Sequence, residues 1–267
     1  MYPKAIVWGL TLYDIMLALA VVTAMLIFSR FSNKRHLSAR LHNFVLADAV
    51  VTVIVGYFFA VLFQAVYNLI ASGSFELNEN TGATFLGGFV GGAGVLFAFW
   101  FGVGAAVFKN RDREHIKELP ELIEVFSVCV PAAHAVGRIG CFFAGCCHGI
   151  RVDGFPGVYM EQAGGRVLPV QLFESAFLIL LTVFLWIRAD RRRTGNLCFY
   201  LVLYGIWRFF IEYLRGDYRG ETVVSFLTPS QLISVIMIIV GLCLWFFVYR
   251  GKKGRDPATA EKADRDE

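Results

Sequence analysis

Charge is scarce in this sequence: only 17% of its 267 residues are Asp, Glu, Lys or Arg, against 57% that are hydrophobic and 15% that are aromatic. So little charge excludes an ordinary soluble domain of this length, which has too much surface to leave so apolar. Alternating polarity is missing as well. Stretches such as "VVTVIVGYFFAVLFQAVY" run apolar on both faces of any strand, which excludes a membrane-spanning β-barrel built from segments of about ten alternating residues. No internal repeat is visible. The net charge of +4 is modest and confined to a few loops, so no nucleic-acid partner is implied.

What is present is a set of long apolar runs. A helix needs about 20 mostly apolar residues to cross the hydrocarbon, and such runs lie at 9–29, 43–70, 84–108, 121–147, 169–188, 196–214 and 226–249. The expected fold is therefore all-α, a polytopic membrane protein with about seven transmembrane helices. Residues 1–250 form the expected membrane domain, and the charged stretch 251–267 an expected disordered tail, since it has no apolar residues to pack. The apolar run near the N-terminus has its charges after it and no small-residue cleavage site before them, so it reads as a retained span and not a signal peptide.

Basic residues set the orientation, because Lys and Arg accumulate in short cytoplasmic loops. Arg30, Lys34, Arg35 and Arg40 follow the first run; Lys109, Arg111, Arg113 and Lys117 the third; Arg188, Arg191, Arg192 and Arg193 the fifth; Arg250, Lys252, Lys253 and Arg255 the seventh. These loops fall on one side, which places the N-terminus outside and the C-terminus in the cytoplasm.

Ionisable residues inside apolar spans are costly unless they face a partner or a wet cavity. In the fourth run Arg138, Cys141, Gly145 and His148 recur every three or four residues, so a continuous helix would align them on one face. The sixth run repeats the pattern with Tyr204, Arg208, Glu212 and Arg215, and the fifth opens with Gln171 and Glu174 after Pro169. All three groups lie toward the outer ends of their helices. Arg208 and Glu212 could simply be a salt bridge that locks helices together. Two arginines on different helices also suit an anionic headgroup, and phosphate is the obvious anion in a membrane.

Gly87 and Gly91, then Gly88 and Gly92, form overlapping pairs of small residues four apart, which suits close helix packing or backbone amides turned toward a headgroup. Cys129, Cys198 and Cys243 stand singly in apolar runs, as core residues do. For Cys141, Cys146 and Cys147 the alternatives are buried packing, a disulfide, reactive thiols or metal ligation; the spacing is not a CxxC pair and no second ligand set accompanies it, so no metal site and no cofactor is expected.

The segments "HAVGRIGCFFAGCCHG", "LPVQLFES", "YGIWRFFIEYLRGD" and "PSQLIS" together resemble the prolipoprotein diacylglyceryl transferase family. That resemblance implies a seven-helix enzyme of the bacterial inner membrane, moving diacylglycerol from phosphatidylglycerol or a related anionic phospholipid to the lipobox cysteine of a prolipoprotein or another acceptor. It implies that Arg138, Arg208 and Glu212 serve catalysis and that Gly137, Gln171, Glu174, Tyr204 and Arg215 line the substrate, with Gly87, Gly88 and Cys141 beside them. Departures from the family pattern fall on proton-handling positions. Leu86 and Leu168 stand where histidines are usual, and Cys141, Ala144 and Cys146 replace polar residues of the family's "GRIGNFxNGE". With those groups gone, the candidate bases for the acceptor thiol are His148, His134 and a carboxylate such as Glu174 or Glu212, with His148 preferred. A phospholipid-binding or lipid-moving protein without turnover, and a membrane thiol oxidoreductase, are the readings from other classes.

Overall fold

A computed structural model describes residues 10–73, 75, 77, 81–82, 84–110, 112–216 and 226–249. It is 77% helical, with seven helices long and apolar enough to cross a membrane. These are α1 (Leu12–Lys34), α2 (Ala39–Ser72), α3 (Phe85–Ala98, prolonged by a π-helical turn Phe99–Val103 and by Gly104–Val107), α4 (Leu119–Ala144), α5 (Val170–Asp190), α6 (Asn196–Ile211, prolonged by a 3-10 turn Glu212–Leu214) and α7 (Pro229–Leu244, prolonged by a π-helical turn Trp245–Tyr249). The expected charged tail, 251–267, lies outside the described residues.

Five of the seven helices end within two residues of the ends of their apolar runs, and α1 runs on five residues to Lys34. The fourth differs in a way that matters, because α4 stops at Ala144 instead of running on to Cys147. Gly145 takes a left-handed φ of 76° and Cys147 one of 60°, so the backbone leaves the helix although the side chains remain apolar. The single helical face expected for Arg138, Cys141, Gly145 and His148 is therefore broken after Cys141. Between α4 and α5 the chain forms a small antiparallel hairpin, β1 (Val158–Met160) with β2 (Gly165–Val167), in register Val158 opposite Val167.

The chain divides into two compact units, residues 32–120 and residues 1–31 with 121–267. In the first, α2 and α3 pack at backbone distance. A Cβ added at Gly91 would stand 2.3 Å from the Cβ of Phe59, and one at Gly87 would stand 2.5 Å from the Cβ of Phe63. Small residues at this seam are what lets the two helices approach. Ser38 caps α2 by accepting from Leu41 N at 3.1 Å.

In the second unit, α1 meets α4 through stacked Phe28 and Phe126, and α5 through Phe31 set edge-on to Trp186. Helices α6 and α7 cross closely where Gly205 lies against Ser234 and Ile238. Helix α7 begins with a capping box, Thr228 and Gln231 bonding each other's backbone, followed by Pro229 at the first helical position. At the opposite end of α6 the buried Glu124 of α4 accepts from Gly195 N (2.7 Å), Asn196 N (2.8 Å) and Tyr249 Oη (2.9 Å). Its carboxylate thus satisfies the open amides and the positive end of the α6 dipole. Arg188 braces the same corner, bonding Asn196 Oδ1 at 3.0 Å and lying 4.0 Å from the centre of the Phe199 ring.

Candidate active site

Helices α4, α5 and α6 of this second unit bring the predicted ionisable residues together. Arg138 Nη2 lies 2.9 Å from each oxygen of Glu174, and Tyr204 donates its hydroxyl to Glu174 Oε1 at 2.8 Å. Glu174 is fully buried and Arg138 only 8% exposed, so this ion pair sits in protein, where an unpaired charge would be expensive. His134, one turn before Arg138, reaches Glu174 Oε1 at 3.9 Å and meets the Tyr204 ring edge-on at 5.3 Å. Arg138 Nε is buried with no hydrogen-bond partner among the described residues.

One turn beyond Tyr204 stands the second arginine. Arg208 Nη1 lies 2.7 Å from Glu212 Oε2, near enough for an ion pair though not aligned as a hydrogen bond, while Nη2 donates to Ser230 Oγ at 2.7 Å. Glu212 also accepts from Thr228 Oγ1 at 3.0 Å and has Arg215 Nε at 3.8 Å. The start of α7 is thereby tied to the end of α6. Tyr204, which bonds Glu174, and Arg208 stand one turn apart on α6, so the two ion pairs lie on successive turns of one polar cluster.

The loop after α4 is fixed to this cluster. Gln171, fully buried in the first turn of α5, donates to Cys146 O at 2.6 Å, and Gln162 donates to Ala144 O at 3.1 Å. Gly149 N donates to Leu168 O at 2.9 Å and Ile150 N to Leu214 O at 2.9 Å, which closes the loop over the ends of α5 and α6. His148 sits in this loop, not on α4. Its Nδ1 lies 3.0 Å from Gly149 O; that carbonyl can only accept, so Nδ1 is the donor, and in the neutral imidazole the lone pair lies on Nε2.

The remaining sequence candidates divide. Gly137 has open space where a side chain would begin, with nothing within 4 Å. Gly87 and Gly88, in the other unit, are taken up by α2: Gly87 by Phe59 and Phe63, Gly88 by Ala60 and Gly56. Leu86 is 64% exposed. Cys141, on the last turn of α4, lies with Cys146 and Cys147 in one group of sulfurs within 4.8 Å of one another. Sequence reasoning gives too little weight to His134, whose i to i+4 spacing to Arg138 was the available signal, and passes over Glu124, an acid inside an apolar run.

A sequence model of the family described as "Prolipoprotein diacylglyceryl transferase" matches residues 4–247. The chain belongs to that family. Among its relatives, "Phosphatidylglycerol--prolipoprotein diacylglyceryl transferase 2" of Clostridium perfringens is 28% identical over 252 residues, 90% of this chain and 92% of the relative. "Phosphatidylglycerol--prolipoprotein diacylglyceryl transferase" of Clostridium tetani is 27% identical over 238 residues, covering 86% of this chain and 90% of the relative. The enzyme of the same name from Teredinibacter turnerae is 33% identical over 150 residues, 54% of this chain and 50% of its own. The family model runs from the first span into the last, so family membership rests on the whole membrane unit and not on one segment.

Proposed function

We propose that this protein transfers diacylglycerol from phosphatidylglycerol to the lipobox cysteine of a prolipoprotein, at the outer face of the bacterial cytoplasmic membrane. The N-terminus lies outside and the charged tail in the cytoplasm, as the basic loops demand. The observation that carries the reading is two buried guanidiniums on different helices, Arg138 held by Glu174 and Arg208 one turn beyond Tyr204, which bonds the same Glu174.

The reaction breaks the bond between the diacylglycerol C3 carbon and its phosphate oxygen and forms a carbon–sulfur bond in its place. Glycerol phosphate leaves with the electron pair of the broken bond. Arginines fit this departure, because charge builds on phosphate oxygens in the transition state and preorganised guanidiniums stabilise it without reorganising. Glu174 and Tyr204 orient Arg138; Glu212, Thr228 and Ser230 orient Arg208. His148 Nε2 is the base that takes the proton of the acceptor thiol. Gln171 positions the loop that carries it.

The test is an assay of purified protein in nanodiscs with headgroup-labelled phosphatidylglycerol and a lipobox peptide. Thioether-linked diacylglyceryl peptide and free labelled glycerol phosphate in equal amounts are the expected products. Phospholipid bound without either product would replace this reading by that of a lipid-binding protein.

A further inference from the structure

Three thiols converge beside the arginine cluster, and nothing in the transfer chemistry above uses them. The sulfurs of Cys141, Cys146 and Cys147 all lie within 4.8 Å of one another, each residue half-buried. Ordinary thiol packing does not require the backbone seen here. Cys147 holds a left-handed φ of 60°, a conformation seldom taken by a residue with a side chain, and Gly145 before it holds 76°. Adjacent residues in extended chain point to opposite sides; this turn instead sends the sulfurs of both Cys146 and Cys147 back toward Cys141 on α4. The arrangement is held from outside the loop by the hydrogen bonds of Gln171 to Cys146 O and Gln162 to Ala144 O. Cys141 is three residues after Arg138 on the same helix, so the trio faces the same end of the unit as the guanidiniums.

Three thiolates around a zinc ion, each at about 2.3 Å, stand roughly 3.8 Å from one another. The observed spacing needs only a small contraction to reach that. Three protein ligands are also the number found in catalytic zinc sites, where the fourth position is left for water or substrate. We propose that Cys141, Cys146 and Cys147 bind a thiophilic divalent metal ion, Zn2+ by chemistry, whose fourth position takes the acceptor cysteine's sulfur.

This inference rests on the transferase reading for its acceptor, and it supplies what that reading lacks, an environment that favours thiolate. A thiol bound to zinc would give up its proton to solvent and be held as thiolate. The metal-bound sulfur then attacks the C3 carbon, the carbon–oxygen bond to phosphate breaks, and the thioether product, a poorer ligand, leaves the metal. No electrons are exchanged with the metal. The Arg138 guanidinium beside the site offsets the negative charge of the thiolates.

Co2+ is the probe, since thiolate ligation gives it an intense sulfur-to-metal absorption. The full-length protein in nanodiscs, kept reduced, is titrated with Co2+. The expected result is one equivalent per chain with that absorption, bleached by Zn2+, lost in Cys141→Ser, Cys146→Ser and Cys147→Ser, and retained in Cys243→Ser. A lipobox cysteine peptide then raises the band as a fourth sulfur enters, and the matching serine peptide does not. Absence of the band in the wild-type protein overturns the site, and a band indifferent to the cysteine peptide overturns the role of the fourth position. Product formed undiminished in the presence of a strong chelator, with no band, removes the metal and leaves the transferase. A band that responds to the peptide without any product removes the transferase and leaves the metal site.

Discussion

Arg138 and Glu174, 36 residues apart in sequence, meet through a single guanidinium nitrogen that lies 2.9 Å from both carboxylate oxygens. Their contact joins α4 to α5 through two buried side chains. Removing one partner leaves the other charge buried, at a cost of about 3–5 kcal/mol, whereas replacing both by apolar residues costs much less. Arg138→Met should therefore unfold well below the wild type in detergent, and Arg138→Met combined with Glu174→Leu should recover much of the loss. Neither should bind anionic phospholipid normally. A double variant no more stable than the single one would mean that the pair is not the joint it looks to be.

His148→Asn retains a donor for Gly149 O and removes the Nε2 lone pair. Transfer should fall by about 10²–10⁴ with phospholipid binding unchanged, as expected when a general base is lost. Turnover measured at saturating lipid separates these effects. An undiminished rate would move the base to His134 or to solvent.

Glu124 works at the other end of the unit and should matter for stability alone. Glu124→Ala strips three hydrogen bonds from the α6 amides and Tyr249, each worth about 1.5–3 kcal/mol when one partner is charged. A thermal scan should show a large fall in unfolding temperature, while the specific activity of the protein that remains folded stays near normal.

Much of the fold was legible because a membrane span announces itself by length: seven apolar runs of sufficient extent became seven helices. The boundary that failed, at Ala144, failed because "CFFAGCC" stays apolar past the point where the backbone turns. Gly145 was the one signal for the end of the helix, and its neighbours masked it. The hairpin of β1 and β2 escaped notice because three-residue strands carry too little pattern to be read. At the site, the spacing of Arg208, Glu212 and Arg215 foretold a shared carboxylate, since i, i+3 and i+4 neighbours meet on any helix. The pairing of Arg138 with Glu174 and the convergence of three sulfurs depend on tertiary packing and a left-handed turn, which no periodicity encodes.

The glycines of the first unit separate by what surrounds them. Gly91→Ala would drive a methyl into Phe59 and should destabilise by about 1–3 kcal/mol. Gly94→Ala meets nothing within 4 Å and should be neutral or mildly stabilising, because alanine is the better helix former. Comparing their unfolding temperatures checks the α2 and α3 seam directly.

His115, outside the spans and 1% exposed, packs among Phe44, Trp100 and Phe108. Burial, with help from the Arg113 charge, lowers its pKa below the usual histidine value. The unfolded chain therefore takes up a proton that the folded one resists. The stabilisation is complete above about pH 6.5 and is lost as pH falls toward the folded value. Unfolding temperature should drop between pH 7 and pH 5 in the wild type, and His115→Phe should flatten that part of the profile.

The central claim is that Arg138 and Arg208 together hold a lipid phosphate, and binding tests it most directly. Phosphatidylglycerol and a neutral diacylglycerol are titrated into the detergent-purified protein and its Arg138→Lys and Arg208→Lys variants, with bound lipid counted by native mass spectrometry. Lysine keeps the charge and loses the planar fork. Preference for phosphatidylglycerol in the wild type, weakened in each variant and with diacylglycerol binding unaltered, is the predicted result. Equal retention of both lipids by all three proteins would contradict it.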